Sequence, residues 1–428
     1  MQSEVEKSIK SEMRKAYILE TSNACMVSIY GLAKFRELFL RNNWQIVDKC
    51  SKADLILVNS CGFNQAQEDK TINKIKRIKK DKKPEAEIIV SGCLPKINEK
   101  SLNKVFDGIT FSPKEIDRID ELIDAKIKIS EIKNIEIGRK DFQGKFLYSF
   151  NKILAKILLK LPVFGFYKFF HIKIEPYYKI LNTLYDHRIF YILACTGCLG
   201  NCSYCAIKRA KGTLKSIPVE KIISEFRYGL SKGYKKFALI GDDLGYYGRD
   251  IKSNLITLLE EMIKEKGDFE LLLYYLEPMD FETSFPKLKE VFRSGKIVDV
   301  CIPVQTGSNR ITKLMNRPCD VENVRKYASE LRKEFQFMNV RTHVIVGFPG
   351  ETEEDFKKSL ELFDDFDEVG IFKYADRPDT PASRMTNKVP DAIINDRMKR
   401  IKRKFLYDLY FKKLINIKFI FEDRLNTK

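Results

Sequence analysis

The chain has 428 residues, 44% hydrophobic and 32% charged, with ten cysteines and a formal net charge of +18. That length allows two or three domains, and the composition is that of a globular protein and excludes a disordered polymer. No apolar run approaches about 18 residues, and the first residues, MQSEVEKSIKSEMRKAY, hold no apolar core, so neither a transmembrane segment nor a signal peptide is expected.

A cytoplasmic location follows, where thiols stay reduced. The excess positive charge favours RNA, an anionic membrane surface or an acidic peptide, although the lysines are spread along the whole chain.

AYILE (16–20) reads as a strand, 30–41 as an amphipathic helix, ADLILVN (53–59) as a buried strand, 65–79 as a helix and AEIIVS (86–91) as a strand. Strand-length apolar runs alternating with helical periods imply a parallel α/β sheet, a three-layer α/β domain at 16–125. Residues 126–187 break the pattern. Within them, 140–187 mixes Phe, Tyr, Leu and Ile with lysines, as a helical linker packed on the next domain would, or an amphipathic surface that meets a peptide or membrane. Six strand-like runs return at 190–194, 236–241, 271–276, 298–304, 340–347 and 369–374. Over 188–386 they fit a parallel sheet curled into a partial (β/α)6 barrel, whose ligand chemistry sits at the carboxyl ends of the strands. Residues 387–428 read as a basic helical tail.

Cysteine placement carries the chemistry. CLGNCSYC puts Cys198, Cys202 and Cys205 in one loop just past the first barrel strand. Neighbours this close reach disulfide geometry poorly, whereas thiolates converging from a tight loop suit iron–sulfur clusters or zinc. Zinc wants a fourth ligand, which Cys195 is placed to supply; otherwise Cys195 is a small buried residue. Three thiolates on a 4Fe–4S cluster leave one iron open for S-adenosylmethionine (SAM). The loop in this setting resembles the radical SAM superfamily, where an aromatic before the last cysteine, here Tyr204, is usual. Cys25, Cys61 and Cys93 each follow one of the first three strands. Strands of one parallel sheet end on one edge, so these thiols are expected to converge there as a second cluster site.

ADLILVNSCGF and IIVSGCLPK, followed by TGCLGNCSYCAIKRAKG, GDDLGYYGRDI, PVQTGSNRITKLMNRP, VRTHVIVGFPGETEEDF and YADRPDTPASRM, resemble the radical SAM methylthiotransferase family over 16–125 and 188–400. The resemblance implies insertion of a methylthio group at an unactivated C–H bond, with two 4Fe–4S clusters and with SAM as both methyl donor and radical source. Known members modify adenosine in tRNA or an aspartate of a ribosomal protein. It implies an external electron donor such as flavodoxin or ferredoxin. It also places Asp242 and Asp243 at the SAM amino group or a ribose hydroxyl, with Gln305, Ser308 and Arg310 nearby. Arg310 is read as a fork for the SAM carboxylate, or the trio as a capped helix start with Ser308 as N-cap. Arg377 is expected to bridge the domains or touch substrate, and His343 to line the cavity or serve structure. The small TRAM barrel that usually ends the family is not found after 386. That departure puts a peptide or natural-product intermediate first as substrate and tRNA adenosine second.

Overall fold

The computed structural model describes residues 13–21, 25–137, 189–336 and 338–408. The expected aromatic surface at 140–187 and the tail beyond 408 lie outside the described residues. The first sheet is fully parallel, in the order β2 (Gln45–Ile46), β1 (Lys15–Glu20), β3 (Leu55–Ser60), β4 (Glu87–Gly92) and β5 (Ile109–Thr110). Helix α1 (Met26–Arg41) follows β1 and α2 (Gln65–Asp81) follows β3; α3 (Leu94–Ile97), α4 (Glu99–Asn103) and α5 (Arg118–Leu122) are short. Helix α2 starts where the Asn64 side chain accepts from the Gln67 backbone N–H at 3.0 Å, meeting a donor that the first turn otherwise leaves unpaired.

The second sheet runs β12 (Glu368–Lys373), β11 (Asn339–Val346), β10 (Ile297–Cys301), β9 (Glu270–Tyr274), β8 (Lys236–Gly241), β6 (Ile189–Thr196) and β7 (Lys215–Ser216). Six strands are parallel; only β7 is antiparallel, to β6. The crossovers carry α6 (Ile207–Lys211), α7 (Val219–Ser231), α8 (Leu255–Lys264), α9 (Pro278–Phe292), α10 (Asn309–Leu314), α11 (Val321–Glu334) and α12 (Glu353–Asp365), and α13 (Asp391–Asp408) closes the described chain. The order runs from β6 to β12 without closing, a partial barrel of the expected kind. The strand expected over 298–304 stops at Cys301, since Pro303 has no N–H to give the ladder; pairing resumes as an isolated bridge from Gln305 to Val344.

Side chains alternate across this sheet. Phe190, Ile192, Phe237, Leu239, Leu271 and Leu273 join the core beneath the outer helices. Their neighbours Tyr191, Leu193, Ala238, Ile240 and Leu272 share a core with Tyr30, Phe35, Leu38 and Phe39 of α1 and with Ile119, Ile129 and Ile132. The N-terminal segment therefore packs into the concave face of the partial barrel. The sequence reading divides the chain near 125 and 188, yet the two sheets share one hydrophobic cluster.

Two buried ion pairs fasten further joints. Arg377 meets Glu68 of α2, with both residues at most 3% exposed. Arg397 of α13 meets Glu351 at 2.6 Å. The first of these realises the bridging role expected for Arg377.

Candidate active site

Cys61 and Cys93 are the residues just past β3 and β4. Ser60 of β3 lies opposite Gly92 of β4, and the Cys93 N–H donates to Ser60 O at 3.0 Å. Gly92 has φ +100, and a Cβ there would stand 2.2 Å from Ser60 O, so the strand end accepts only glycine. Cys25 sits as the N-cap of α1, beyond the end of β1. Burial pushes the Cys93 thiol up to about 12; Lys211 opposes that shift, and negative charge at Cys25 and Cys61 adds to it. Cys25, Cys61 and Cys93 thus each follow a strand of one parallel sheet, and the charges of the first two act on the third.

The second trio lies past β6. Gly197 takes φ +73 with Thr213 O 2.0 Å from where a Cβ would be, which turns the chain into the loop. The Gly200 N–H points at Cys198 Sγ at 3.2 Å, and a Cβ on Gly200 would lie 3.2 Å from Cys198 Sγ and 3.9 Å from Cys202 Sγ. Ser203 pins the loop to the end of α10, its N–H donating to Met315 O and its hydroxyl to Leu314 O, each at 2.8 Å. Arg317 donates to Cys202 Sγ at 3.2 Å. Tyr204 packs with Ile311, Met315 and Phe348, fixing the loop from behind. Cys195 is fully buried, with its thiol on Asp243 O at 3.3 Å in the core. Among the described residues, no group of three or more His, Cys, Asp or Glu side chains closes around a single metal ion.

The polar residues read from the sequence divide into two groups. Asp243 stands beside the loop: Cys198 Sγ donates to its Oδ2 at 3.5 Å and the Gly245 N–H to its Oδ1 at 3.0 Å. Burial pushes its carboxyl up to about 7, Glu277 and Asp280 reinforce the shift, and Arg317 opposes it. Asp242 has both oxygens engaged, Oδ1 by Lys211 Nζ at 3.1 Å and Oδ2 by the Gly197 N–H at 2.8 Å. Gln305 holds φ +75 between β10 and α10, with its N–H on His343 O at 2.8 Å.

Ser308 and Arg310 both meet Asp355. The Ser308 hydroxyl donates to Asp355 Oδ1 at 2.6 Å, and Arg310 meets Asp355 and Gly350 O. Ser308 does occupy the N-cap of α10, but its side chain makes no cap hydrogen bond because Asp355 holds it. Burial favours the protonated Asp355 carboxyl, yet bonds from Arg310, Ser308 and Thr352 outweigh it and hold the group well below the usual range. Arg310 is thus engaged through Nη2 with Asp355 and Gly350 O, as a residue of the capped helix start would be.

Sequence reasoning missed Glu277, Arg317 and Lys211. Glu277 and Arg317 form a buried pair at 3.2 Å, and Arg317 also donates to Pro303 O at 2.9 Å. Arg317 lies in the quoted LMNRP stretch, which gave no sign that its side chain returns to the cysteine loop. A row of rings joins the two domains: Tyr275 to His343 at 5.2 Å, His343 to Phe372 at 5.1 Å and Phe372 to Phe63 at 5.6 Å. Burial, and then Arg341 and Arg317, push His343 down to about 4, so the ring is neutral. Burial raises Tyr275, and negative charge at Cys301 and Cys25 adds to it.

The chain is similar to several known proteins. The radical SAM superfamily model matches residues 192–363, and that of "Uncharacterized protein family UPF0004" matches 17–112. A probable threonylcarbamoyladenosine tRNA methylthiotransferase of Pyrococcus abyssi is 30% identical over 362 residues, 84% of this chain and 76% of its own length. A ribosomal protein uS12 methylthiotransferase of Chlamydia felis is 29% identical over 399 residues, 91% of this chain and 78% of its own. Among solved structures, the radical SAM methyltransferase TsrM of Kitasatospora setae aligns with a TM-score of 0.57 at 14% identity, over 86% of this chain and 75% of that one. That last likeness concerns the fold alone.

Proposed function

The chain belongs to the radical SAM methylthiotransferase family, and from that premise we propose that it inserts a methylthio group at an unactivated C–H bond, with a 4Fe–4S cluster at each cysteine trio. On this reading 16–125 carries the auxiliary cluster, 188–386 the radical core and 387–428 a basic helical tail. What supports it is the placement of Cys25, Cys61 and Cys93 after β1, β3 and β4, with Cys93 packed against α6, the helix that follows the Cys198–Cys205 loop. The donor set fits: each trio offers three thiols, and Cys195, the candidate fourth zinc ligand, is spent in the core. When bound, the clusters and SAM supply the electron, the radical and the sulfur that no side chain offers.

The chain's own residues prepare that chemistry. Burial favours the protonated thiols of Cys93 and Cys198, so a cluster bound there would displace protons, while the Gly200 N–H opposes that shift at Cys198 and Arg317 opposes it at Cys205. Asp243 and Glu277 offer carboxylates for the SAM ammonium, while Asp242, Ser308 and Arg310 hold the surrounding turns. Tyr204 braces the loop, and α1 covers the barrel interior and excludes water.

The row of Phe63, Phe372, His343 and Tyr275 favours a planar ring, which adenosine in tRNA presents, over the peptide or natural-product intermediate that the sequence reading puts first. Mass spectrometry of total tRNA nucleosides from a host with and without the gene tests this. A methylthio-adenosine that appears only with the gene supports it; an unchanged profile overturns it. The uS12-directed relatives favour a peptide as the second reading. An external donor of the flavodoxin or ferredoxin type and a cytoplasmic setting belong to the same proposal.

A further inference from the structure

We propose that Lys211 and Asp242 form an oriented charge pair between the two sulfur centres, its positive end on the Cys25/Cys61/Cys93 centre and its negative end on the Cys198/Cys202/Cys205 loop. The inference rests on the reading that both trios hold clusters.

Lys211 ends α6, whose Ala206, Ile207 and Ala210 pack with Ile97 and with Cys93 itself. That packing sets α6 against Cys93, and the charge of Lys211 acts on that thiol. The side chain is only 5% exposed, and a buried ammonium persists only where charge compensates it. Of its three donors one meets Asp242 Oδ1, at 3.1 Å; among the described residues the other two meet no further oxygen or nitrogen. Burial disfavours the charged form, and the Asp242 carboxylate at 3.1 Å compensates it. The unmet donors therefore suit the thiolates and sulfides of a cluster. Asp242 Oδ2 accepts from the Gly197 N–H at 2.8 Å, one residue before Cys198, so the carboxylate reaches the loop; it also acts on Cys93, but less than Lys211 does.

The consequence is a difference in reducing power. A nearby cation stabilises the more negative, reduced form of a cluster and raises its potential, and an anion does the opposite. The pair makes the loop centre the stronger reductant, as cleavage of SAM requires, and the centre at the first trio the more easily reduced.

The test is a potentiometric titration of the anaerobically reconstituted full chain, followed by EPR. The parent is expected to show two reductive steps and about eight irons, with the step of the first trio identified by its loss in a Cys25/Cys61/Cys93→Ala variant. Lys211→Gln shifts that step to lower potential with iron content retained, and Lys211→Arg restores it. Asp242→Asn raises the loop centre's step, a change that loosened packing alone does not produce. Unmoved steps in both Lys211→Gln and Asp242→Asn overturn the inference. Should Lys211→Gln lose iron, the sign of the Asp242→Asn shift decides it. A parent with one step and about four irons removes the two-cluster reading itself, and the inference with it.

Discussion

Replacing Arg377 by methionine removes one half of the ion pair that joins α2 to the segment after β12. Glu68 is 1% exposed and keeps only neutral donors near it, Asn98 Nδ2 at 2.9 Å among them. Leaving one charge of a buried pair without its partner costs about 3–5 kcal/mol. Arg377 itself carries two buried nitrogens, Nε and Nη1, with no partner among the described residues, so its removal also relieves a desolvation cost and places the loss near 3 kcal/mol. That is a large part of the roughly 5–15 kcal/mol that holds a typical domain together. Urea denaturation followed by circular dichroism reads the change directly. Glu68→Gln combined with Arg377→Met removes both charges and is expected to recover most of the loss. A loss under about 1 kcal/mol in Arg377→Met, or no recovery in the double variant, would refute the claim that this pair carries the joint.

Four further outcomes follow from particular residues. Substituting Cys25, Cys61 and Cys93 together by alanine halves the iron from about eight to about four per chain by colorimetric assay, and an unchanged count sinks the auxiliary site. Gly92→Ala places a Cβ 2.2 Å from Ser60 O at φ +100 and lowers stability by roughly 1–3 kcal/mol, visible as a drop in Tm. Burial pushes Glu225 up to about 7, against the opposing effects of Tyr30 and Lys34, from an ordinary value of 4.5. The native chain then holds a proton that the unfolded chain has released, so the contribution is full below 4.5 and fades as pH rises through about 7. Glu225→Gln should flatten the Tm profile across that window, and an unaltered slope contradicts it. Binding of tRNA should weaken steeply between low and moderate salt, and salt-insensitive binding speaks against an RNA grip.

Regular elements were legible in the sequence because their periods are strong. The buried runs 53–59 and 86–91 lie within a residue or two of β3 and β4, and 236–241 coincides with β8. Strands β2, β5 and β7 were not, since two residues at a sheet edge carry no alternation. The placement of Cys25, Cys61 and Cys93 after three strands of one parallel sheet was also readable, because each cysteine follows a strong apolar run. What the sequence concealed was long-range pairing. Asp242 and Asp243 look alike in GDDLGYYG, and only the fold spends the first on Lys211 and Gly197 while leaving the second beside Cys198. Arg310 read as a ligand fork because nothing nearby in sequence announces Asp355, 45 residues on.

The seating of α1 in the concave face of the partial barrel bears on how such an enzyme is inherited. A radical-generating half transferred alone would present Tyr191, Leu193, Ala238, Ile240 and Leu272 to water, a sticky apolar floor. The two halves therefore behave as one unit of exchange. A recombinant that grafts a new N-terminal half must bring a helix cut to this floor, and variation along Tyr30, Phe35, Leu38 and Phe39 is answerable to residues some two hundred positions away.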